Sequence, residues 1–370
     1  MMRAIGLMSG TSMDGIDVAL IETDGEAAVA RGPAFTYPYS EAFRGRLSAA
    51  LGEAKALETR HDRPAGLRLA EQYLTDLHAE AVAHFLEDVQ IARQSIGVIG
   101  FHGHTVLHAP DRSLTVQIGD GARLAAATGI PVVFDMRAAD VAAGGQGAPL
   151  VPAYHRALAR SIDKLPVAFV NIGGVANVTF VGTTDELAAF DTGPGNALID
   201  DWMRREAGRS HDTGGETALN GKIDEAILGE LLSWHYFAEP PPKSLDRNAL
   251  DLNRLEGLAL TTGAATLAAF TAESIARARE HFPQEPALWV VTGGGRKNRA
   301  IMTRLAARVE NAVVPIEALG FDGDAIEAEA WAYLAVRSLS GLPLTFPGTT
   351  GVDKPLSGGV LAMPAVNDSV

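Results

Sequence analysis

The sequence predicts an α/β protein of two domains, because strand-like and helix-like segments alternate and one arrangement occurs twice. In that arrangement an apolar run enters a glycine turn and a second apolar run leaves it, first over residues 1–21 and again over residues 167–181. The length of 370 residues also favours two domains. We expect domains at 1–160 and 161–340, with residues 341–370 packing back on the first domain.

Periodicity and turn residues assign the elements between these turns. The expected elements of the first half are a β-hairpin around the first turn, a helix at 64–90, strands at 96–101, 114–118 and 131–134, helices at 123–128 and 152–159, and a glycine-rich loop at 141–150. The expected elements of the second half are strands at 167–172, 175–181, 187–191 and 288–292, and helices at 196–206, 258–279, 298–309 and 324–339.

Composition narrows the class of protein. A hydrophobic content of 47% and a charged content of 21% are enough for a packed core, and a formal net charge of −14 argues against binding to nucleic acid or anionic lipid. The absence of cysteine excludes disulfides, thiolate zinc sites and a cysteine nucleophile. The longest apolar stretch, residues 165–182, is too polar and too short to cross a bilayer. We therefore expect a cytoplasmic protein that binds neither nucleic acid nor membrane.

The first glycine turn carries groups that bind phosphate. Gly10 and Gly15 let a ligand approach the backbone, and the hydroxyls of Thr11 and Ser12 can hold phosphate oxygens together with exposed N–H groups. Asp14 is a candidate ligand for Mg²⁺. An ordinary hairpin turn is the alternative, but this turn is longer than a hairpin needs and carries two acids.

Asp191 is the strongest candidate for acid–base chemistry. It stands in Phe-Asp-Thr-Gly-Pro-Gly-Asn, residues 190–196, at the end of a predicted strand. A carboxylate at such a strand end in an α/β fold projects towards ligands and could act as a general base. It could equally form an N-cap or Asx turn for the following helix, and the local sequence leaves both interpretations open.

A third glycine turn lies between a predicted strand and a predicted helix. Gly293, Gly294 and Gly295 would let a planar ring lie on the backbone, and the N-terminus of the following helix favours anions. The alternative is a flexible turn. Neither a Walker A sequence nor Gly-x-Gly-x-x-Gly occurs in the chain.

Histidines cluster where a predicted strand ends. His102, His104 and His108 lie within seven residues, but the alternation of the first two and the lack of a nearby carboxylate argue against zinc. Hydrogen bonding to a substrate is the favoured interpretation.

Arg137 could clamp a substrate carboxylate in bidentate fashion, or form a salt bridge with Asp135 or Asp140. Glu327 and Glu329 lie at a predicted helix start, where acids usually favour the helix dipole.

Several motifs occur in one order along nearly the whole chain. They are residues 6–17 (Gly-x-Met-Ser-Gly-Thr-Ser-Met-Asp-Gly-Ile-Asp), His102-Gly103-x-Thr105, residues 137–149 (Arg-x-x-Asp-Val-Ala-Ala-Gly-Gly-Gln-Gly-Ala-Pro), residues 171–177 (Asn-Ile-Gly-Gly-Val-Ala-Asn), residues 190–196 and residues 292–295 (Thr-Gly-Gly-Gly). Together they resemble the anhydro-N-acetylmuramic acid kinase family. The resemblance implies two actin-like (ribonuclease H-like) domains flanking an ATP and substrate cleft, and a homodimer.

The resemblance also implies a reaction. ATP and Mg²⁺ would serve to convert 1,6-anhydro-N-acetylmuramic acid and water into N-acetylmuramic acid 6-phosphate in peptidoglycan recycling, with Asp191 as general base. The positions implied to bind the nucleotide are Gly10, Thr11, Ser12, Met13, Asp14, Gly15, Ile16, Asp17, Gly173, Gly174, Gly293, Gly294, Gly295 and Asn298, with Asp14 near the metal. The positions implied to bind the sugar are His102, Thr105, Arg137 and Glu327.

One position departs from the resemblance, because His104 stands where the family usually has glutamine.

Three alternative functions can be compared with the one that the resemblance implies. A kinase of the same fold for another small acid or sugar would differ in residues 101–105 and 135–150. A non-catalytic ATP-binding protein would have lost Asp14 or Asp191, and both are present. A hydrolase that does not use ATP would not need two phosphate turns.

Overall fold

The structure, a computed structural model, forms two compact units. It describes residues 1–10, 12–184, 186–247 and 249–364. Unit 1 contains Met1–Arg160 and the described residues from Ala325 onward, and unit 2 is Ser161–Asp324. Residues 325–340, which the sequence analysis assigned to the second domain, therefore belong to unit 1.

The elements of both units follow in chain order. The strands are β1 (Met2–Met8), β2 (Gly15–Thr23), β3 (Val29–Pro38), β4 (Val98–Phe101), β5 (His104–Ala109), β6 (Leu114–Ile118), β7 (Val132–Phe134), β8 (Val167–Ile172), β9 (Val175–Val181), β10 (Leu187–Pro194), β11 (Leu288–Thr292), β12 (Ala312–Pro315) and β13 (Val360–Ala362). The helices are α1 (Glu41–Ala54), α2 (Ala65–Asp88), α3 (Gly121–Thr128), α4 (Ala138–Ala142), α5 (Pro152–Ala159), α6 (Ala197–Ala207), α7 (Glu216–Leu219), α8 (Glu225–Leu232), α9 (Leu260–Arg277), α10 (Arg299–Val309), α11 (Ile326–Leu339) and α12 (Pro347–Thr350). In these described ranges, no helix has the combined length and apolarity that a bilayer crossing requires.

The main sheet of unit 1 has the strand order β13-β7-β4-β1-β2-β3. The first three strands form an antiparallel meander, β4 adds in parallel beside β1, and β7 adds in parallel beside β4. Apolar side chains such as Ile5, Leu7 and Val18 are buried on this sheet and pack in one core with Phe43 of α1 and Leu74 of α2. Burial of this face stabilises the position of the turn between β1 and β2.

Unit 2 repeats the same order in its sheet, β10-β9-β8-β11-β12. Strands β8, β9 and β10 are the antiparallel meander, β11 adds in parallel beside β8, and β12 adds in parallel beside β11. This arrangement, 3-2-1-4-5 with the second strand antiparallel to the rest, is that of ribonuclease H-like domains. The predicted actin-like α/β class is thus confirmed by the strand order of each unit.

Helix α11 belongs to unit 1 because it lies directly on the backbone of β1 and β4. Gly6 and Gly100 are partners in the register of these two strands. A Cβ atom at Gly6 would overlap the carbonyl oxygen of Ala328, and one at Gly100 would overlap that of Trp331. The absence of both side chains lets the helix approach the sheet closely, which no local signal around residue 325 reveals.

Candidate functional site

The turn between β1 and β2 is held by backbone hydrogen bonds. The Met13 N–H donates to the Gly10 carbonyl at 3.1 Å, and Met13 itself has φ 55°. The Tyr39 N–H donates to the Asp14 carbonyl at 2.9 Å, while the side chains of Ser12 and Asp14 are exposed. The exposed carboxylate is thus fixed at its backbone and open to a ligand at its side chain.

The predicted nucleotide-binding residues of this region have different surroundings. The Ile16 side chain is 2% exposed and belongs to the core, so only its backbone could face a ligand. Asp17 accepts a hydrogen bond from the Thr36 hydroxyl at 2.6 Å, and Gly15 packs against the Tyr37 carbonyl of β3. Thr11 lies outside the described residues.

Ser9 connects this turn to the histidine segment. Its Oγ accepts a hydrogen bond from the Tyr39 hydroxyl at 2.8 Å and lies 3.1 Å from Nδ1 of His104. Ser9 and His104 are each 1% exposed. Burial lowers the pKa of His104 to about 4, so the ring is neutral and can accept the Ser9 proton. His104 therefore supports the turn from inside the unit.

Three predicted sugar-binding residues meet around one histidine nitrogen. The His102 Nε2 atom lies 3.4 Å from Oγ1 of Thr105 and accepts from Nη2 of Arg137 at 3.4 Å. Burial lowers the pKa of His102 well below its usual value, and Arg137 adds to this effect, so the ring is neutral. Its Nδ1 atom is buried and has no partner in the described structure.

Arg137 is a buried cation with partners on several sides. Its Nη1 donates to the Gly147 carbonyl at 2.9 Å, and its guanidinium lies 5.2 Å from the centre of the Trp331 ring. Burial lowers its pKa to about 10, while the charges of Glu327 and Asp140 oppose that shift. Glu327, the fourth predicted sugar-binding residue, therefore lies within electrostatic reach of this group. The alternative that the sequence left open, a salt bridge with Asp135 or Asp140, does not form, since these acids have other partners.

The neighbouring acids have other partners. Asp135 pairs with Arg60, and Asp140 accepts from the Thr350 hydroxyl at 2.6 Å. Glu329 is buried on α11 and accepts from the Tyr154 hydroxyl at 2.7 Å, so it joins α11 to α5. The helix-dipole interpretation of the sequence is therefore incomplete for Glu329.

A cavity of about 450 Å³ lies within unit 1 beside this cluster. Its wall includes His102 and Gly103 together with Arg60, Gln117 and Asp135. Nε2 of Gln117 lies 3.3 Å from the Thr105 hydroxyl, which links the wall to the histidine cluster. Hydrogen-bonding groups of both charges in a space of this size suit a polar small molecule.

In unit 2, Asp191 lies on the edge strand β10, beside a bulge between Asp191 and Gly193. Its Oδ2 accepts from the Leu245 N–H at 2.8 Å. Burial raises the pKa of Asp191 to about 7, and the Leu245 hydrogen bond opposes that shift. The N-cap position of α6 is Asn196, so the carboxylate does not have the capping role that the local sequence left open.

The second glycine turn is tied to the start of α6. Asn196 N–H donates to the Gly173 carbonyl at 2.7 Å, and Gly195 N–H donates to the Gly174 carbonyl at 2.9 Å. The Asn196 side-chain amide also donates to the carbonyls of Ile172 and Gly173. These bonds occupy the carbonyls of the turn from one side and fix its backbone.

The third glycine turn packs against the end of β8, the strand that leads into the second turn. Gly293 has φ 70°, and a Cβ there would overlap the Asn171 side chain. The buried Arg296 anchors the turn by donating to the Gly293 carbonyl at 2.9 Å and to Glu317 and Asp324. Asn298 is 6% exposed, and its Oδ1 caps α10 by accepting from Ala300 and Ile301. Asn298 thus shapes the helix N-terminus beside the turn.

Sequence reasoning missed the groups that hold the predicted residues. Ser9, Tyr39 and Trp331 in unit 1, and Leu245 in unit 2, are distant in sequence from the residues they contact. Ser9 alone had a signal, since it lies within the first motif. Among the described residues, no three His, Cys, Asp or Glu side chains group as a metal site.

Two ribonuclease H-like units, each with a glycine turn between its first two strands, define a protein of the actin-like kinase and ATPase class. The family model described as anhydro-N-acetylmuramic acid kinase matches residues 2–364. The chain therefore belongs to the anhydro-N-acetylmuramic acid kinase family. It is an enzyme, a phosphotransferase.

Proteins of the same description are similar over the full chain. One from Rhizobium etli is 54% identical over 364 residues, covering 98% of each chain. One from Brucella canis is 53% identical over 368 residues, covering 98% of this chain and 99% of the relative. A solved structure, component A of the Acidaminococcus fermentans (R)-2-hydroxyglutaryl-CoA dehydratase, has a TM-score of 0.47 at 11% identity, with 91% of this chain and 99% of that chain covered.

Proposed function

We propose that this enzyme opens the 1,6-anhydro ring of 1,6-anhydro-N-acetylmuramic acid with water and phosphorylates O6, using ATP. The products are N-acetylmuramic acid 6-phosphate and ADP. Membership of the family over residues 2–364 supports the substrate. The observation that carries the mechanism is Asp191, a carboxylate whose pKa burial raises to about 7. Such a group takes up a proton efficiently near neutral pH.

The proposed chemistry balances without a separate general acid. A water oxygen attacks C1 while its proton passes to the Asp191 carboxylate. The C1–O6 bond breaks, and O6 takes the γ-phosphoryl group as the bond between the γ-phosphorus and the β–γ bridging oxygen of ATP breaks. Because phosphorus captures the leaving oxygen, one carboxylate is sufficient.

For the nucleotide, we propose that the turn from Gly10 to Asp17, including Thr11, binds the β- and γ-phosphates. The Gly173 and Gly174 turn would be the second phosphate turn. Mg²⁺ in kinases is held by one or two carboxylates together with phosphate oxygens, and no protein cage is needed. The exposed Asp14 carboxylate has the chemistry for that role. When bound, the ion would neutralise charge on the phosphates.

For the adenosine, we propose the backbone of Gly293, Gly294 and Gly295. These residues precede α10, whose N-terminus Asn298 caps. Arg296 would keep the turn in place, because its three acceptors lie on separate segments of unit 2.

For the sugar, we propose His102, Thr105, Arg137 and Glu327. The polar cavity beside His102 supports a sugar-sized ligand. Arg137 would pair with the lactyl carboxylate. The Nε–H of Arg137 is buried without a partner in the described structure, so a carboxylate could take that donor while Nη1 and Nη2 keep the Gly147 carbonyl and His102.

The location of the reaction and the oligomeric state are the remaining parts of the proposal. We place the reaction in the cytoplasm, where ATP is supplied, and we propose a homodimer. Light scattering of the purified chain tests the second point, and a monomeric mass would contradict it.

Turnover assays test the proposed function. The wild-type chain should consume ATP in the presence of 1,6-anhydro-N-acetylmuramic acid and form ADP and a sugar phosphate in equal amounts. Asp191→Asn should lose this turnover while nucleotide binding remains. A panel of other anhydro sugars and small sugar acids is the control. Turnover of a panel member in preference to the anhydro-muramic acid would contradict the substrate, and an active Asp191→Asn variant would contradict the base.

A further inference from the structure

Asp191 is held by residues 236–245, a segment that no sequence motif singles out. We propose that this segment positions the Asp191 carboxylate for catalysis, the Tyr236 hydroxyl by donating to the Asp191 backbone carbonyl and the Leu245 N–H by donating to the carboxylate. The inference rests on the proposed function, in which Asp191 is the general base.

The segment completes the hydrogen bonding of an edge strand. Strand β10 is the edge of the unit 2 sheet, and Asp191 pairs with Asn177 of β9 on its inner side. On the other side, the Asp191 N–H donates to the Lys243 carbonyl at 3.0 Å. The Tyr236 hydroxyl donates to the Asp191 carbonyl at 2.7 Å. Both backbone groups of Asp191 are therefore fixed by the segment.

The carboxylate itself has one donor in the described part of the chain. The Leu245 N–H reaches Oδ2 at 2.8 Å, which fixes the rotation of the carboxylate about its Cβ–Cγ bond. Oδ1 is thereby given a defined direction in which to accept the proton of a water. A backbone donor cannot ionise, so it orients the base across the whole pH range.

Lys243 closes the segment on itself. Its Nζ donates to the Tyr236 carbonyl at 2.9 Å and lies 4.7 Å from the centre of the Tyr236 ring. It also lies 5.9 Å from the centre of the Phe190 ring, next to Asp191 in the chain. Lys243 therefore ties Tyr236 to the stretch of backbone whose carbonyl accepts from the Asp191 N–H.

The segment also affects the basicity of Asp191. Burial raises the pKa of the carboxyl and the Leu245 hydrogen bond lowers it. Loss of that donor should raise the pKa further. The other titratable groups around the segment are Tyr236, Lys243, Glu239, Glu280 and His281, of which Glu239, Glu280 and His281 interact with Lys243.

The test compares three variants with the wild type. Tyr236→Phe removes one hydroxyl and keeps the ring, so kcat should fall about fivefold, the value of one neutral hydrogen bond, with KM for ATP unchanged. Leu245→Pro removes the N–H and is measured against Leu245→Ala, which keeps it. The proline variant should move the acidic limb of the kcat/KM profile to higher pH than the alanine variant does.

Wild-type kcat in Tyr236→Phe, or a pH profile shared by Leu245→Pro and Leu245→Ala, would overturn the inference. If the proline variant does not fold, Tyr236→Phe alone decides. Asp191→Asn separates a failure of the positioning role from a failure of the proposed base. An inactive Asp191→Asn with a fully active Tyr236→Phe defeats the positioning role only, whereas an active Asp191→Asn defeats the proposed base.

Discussion

The pH dependence of turnover follows from the surroundings of Asp191. Burial raises the pKa of this carboxyl from 3.8 to about 7. The base acts in its ionised form, which makes up about one tenth of the enzyme at pH 6 and about nine tenths at pH 8 for such a pKa. We therefore expect kcat/KM for the sugar to rise about tenfold between these two values. A carboxyl with its ordinary pKa would give a flat profile over the same range.

The assay is initial rates at saturating ATP and constant ionic strength from pH 5.5 to 8.5. His102, His104 and His108 do not titrate there, because burial lowers the pKa of His104 and His108 to about 4 and that of His102 also falls well below its usual value. Asp200 has a pKa raised to about 6 by burial. Asp200→Asn is therefore the control, and the limb near pH 7 should survive it. A flat wild-type profile would refute the assignment.

Protein stability gives a second readout of the same group. A carboxyl whose pKa is raised on folding holds its proton more tightly in the folded state, so stability falls as pH rises from about 4 to about 7. Asp191→Asn removes this loss. The Tm of the variant should therefore rise relative to that of the wild type as pH increases over that range. A Tm difference that does not change with pH would contradict the raised pKa of the buried Asp191 carboxyl.

Three further predictions concern other parts of the molecule. His104→Leu removes a partner of Ser9 and should lower kcat/KM for ATP about fivefold. His104→Asn can place a polar atom near the Nδ1 position and should retain most of the wild-type kcat/KM. Equal losses in the two variants would contradict a role of His104 in supporting the turn through Ser9. Gly100→Ala forces α11 from the sheet and should lower the free energy of unfolding in urea by about 1–3 kcal/mol. Gly45→Ala, where a Cβ meets no atom within 4 Å, should stabilise the protein. Similar effects of the two substitutions would exclude the close approach of α11 to the sheet. Arg296→Met releases the third glycine turn and should raise KM for ATP several-fold with kcat little changed; an unchanged KM would place the adenosine elsewhere.

The sequence predicts the buried elements best. The apolar runs 167–172, 175–181 and 288–292 are strands in the structure with the same ends, because each is bounded by glycine, proline or a polar turn. The exposed edge strand β3 and the alanine- and glycine-rich helix α1 were missed. No residue of β3 is fully buried, so it lacks the apolar alternation of a half-buried strand, and α1 buries Phe43, Leu47, Ala50 and Ala54 at helical spacing with only two large side chains to mark it.

Prediction of the candidate site from the sequence is limited by contacts between residues that are far apart in the chain. The motifs single out Asp191, but its interpretation as a base or a cap depends on Leu245, a residue 54 positions away. His104 was expected at the substrate, and the structure instead buries it against Ser9. The position of α11 in unit 1 likewise depends on Gly6 and Gly100, far away in sequence. Such contacts leave no local pattern.

The central claim is that hydrolysis of the anhydro ring and phosphorylation occur in one reaction with Asp191 as base. The direct measurement is turnover of 1,6-anhydro-N-acetylmuramic acid with ATP in ¹⁸O-water, followed by mass spectrometry of the product. We predict one ¹⁸O at the anomeric position, corrected for exchange, and none in the phosphate, with no product from Asp191→Asn. A label in the phosphate, or a phosphorylated product that retains the anhydro ring, would contradict the account.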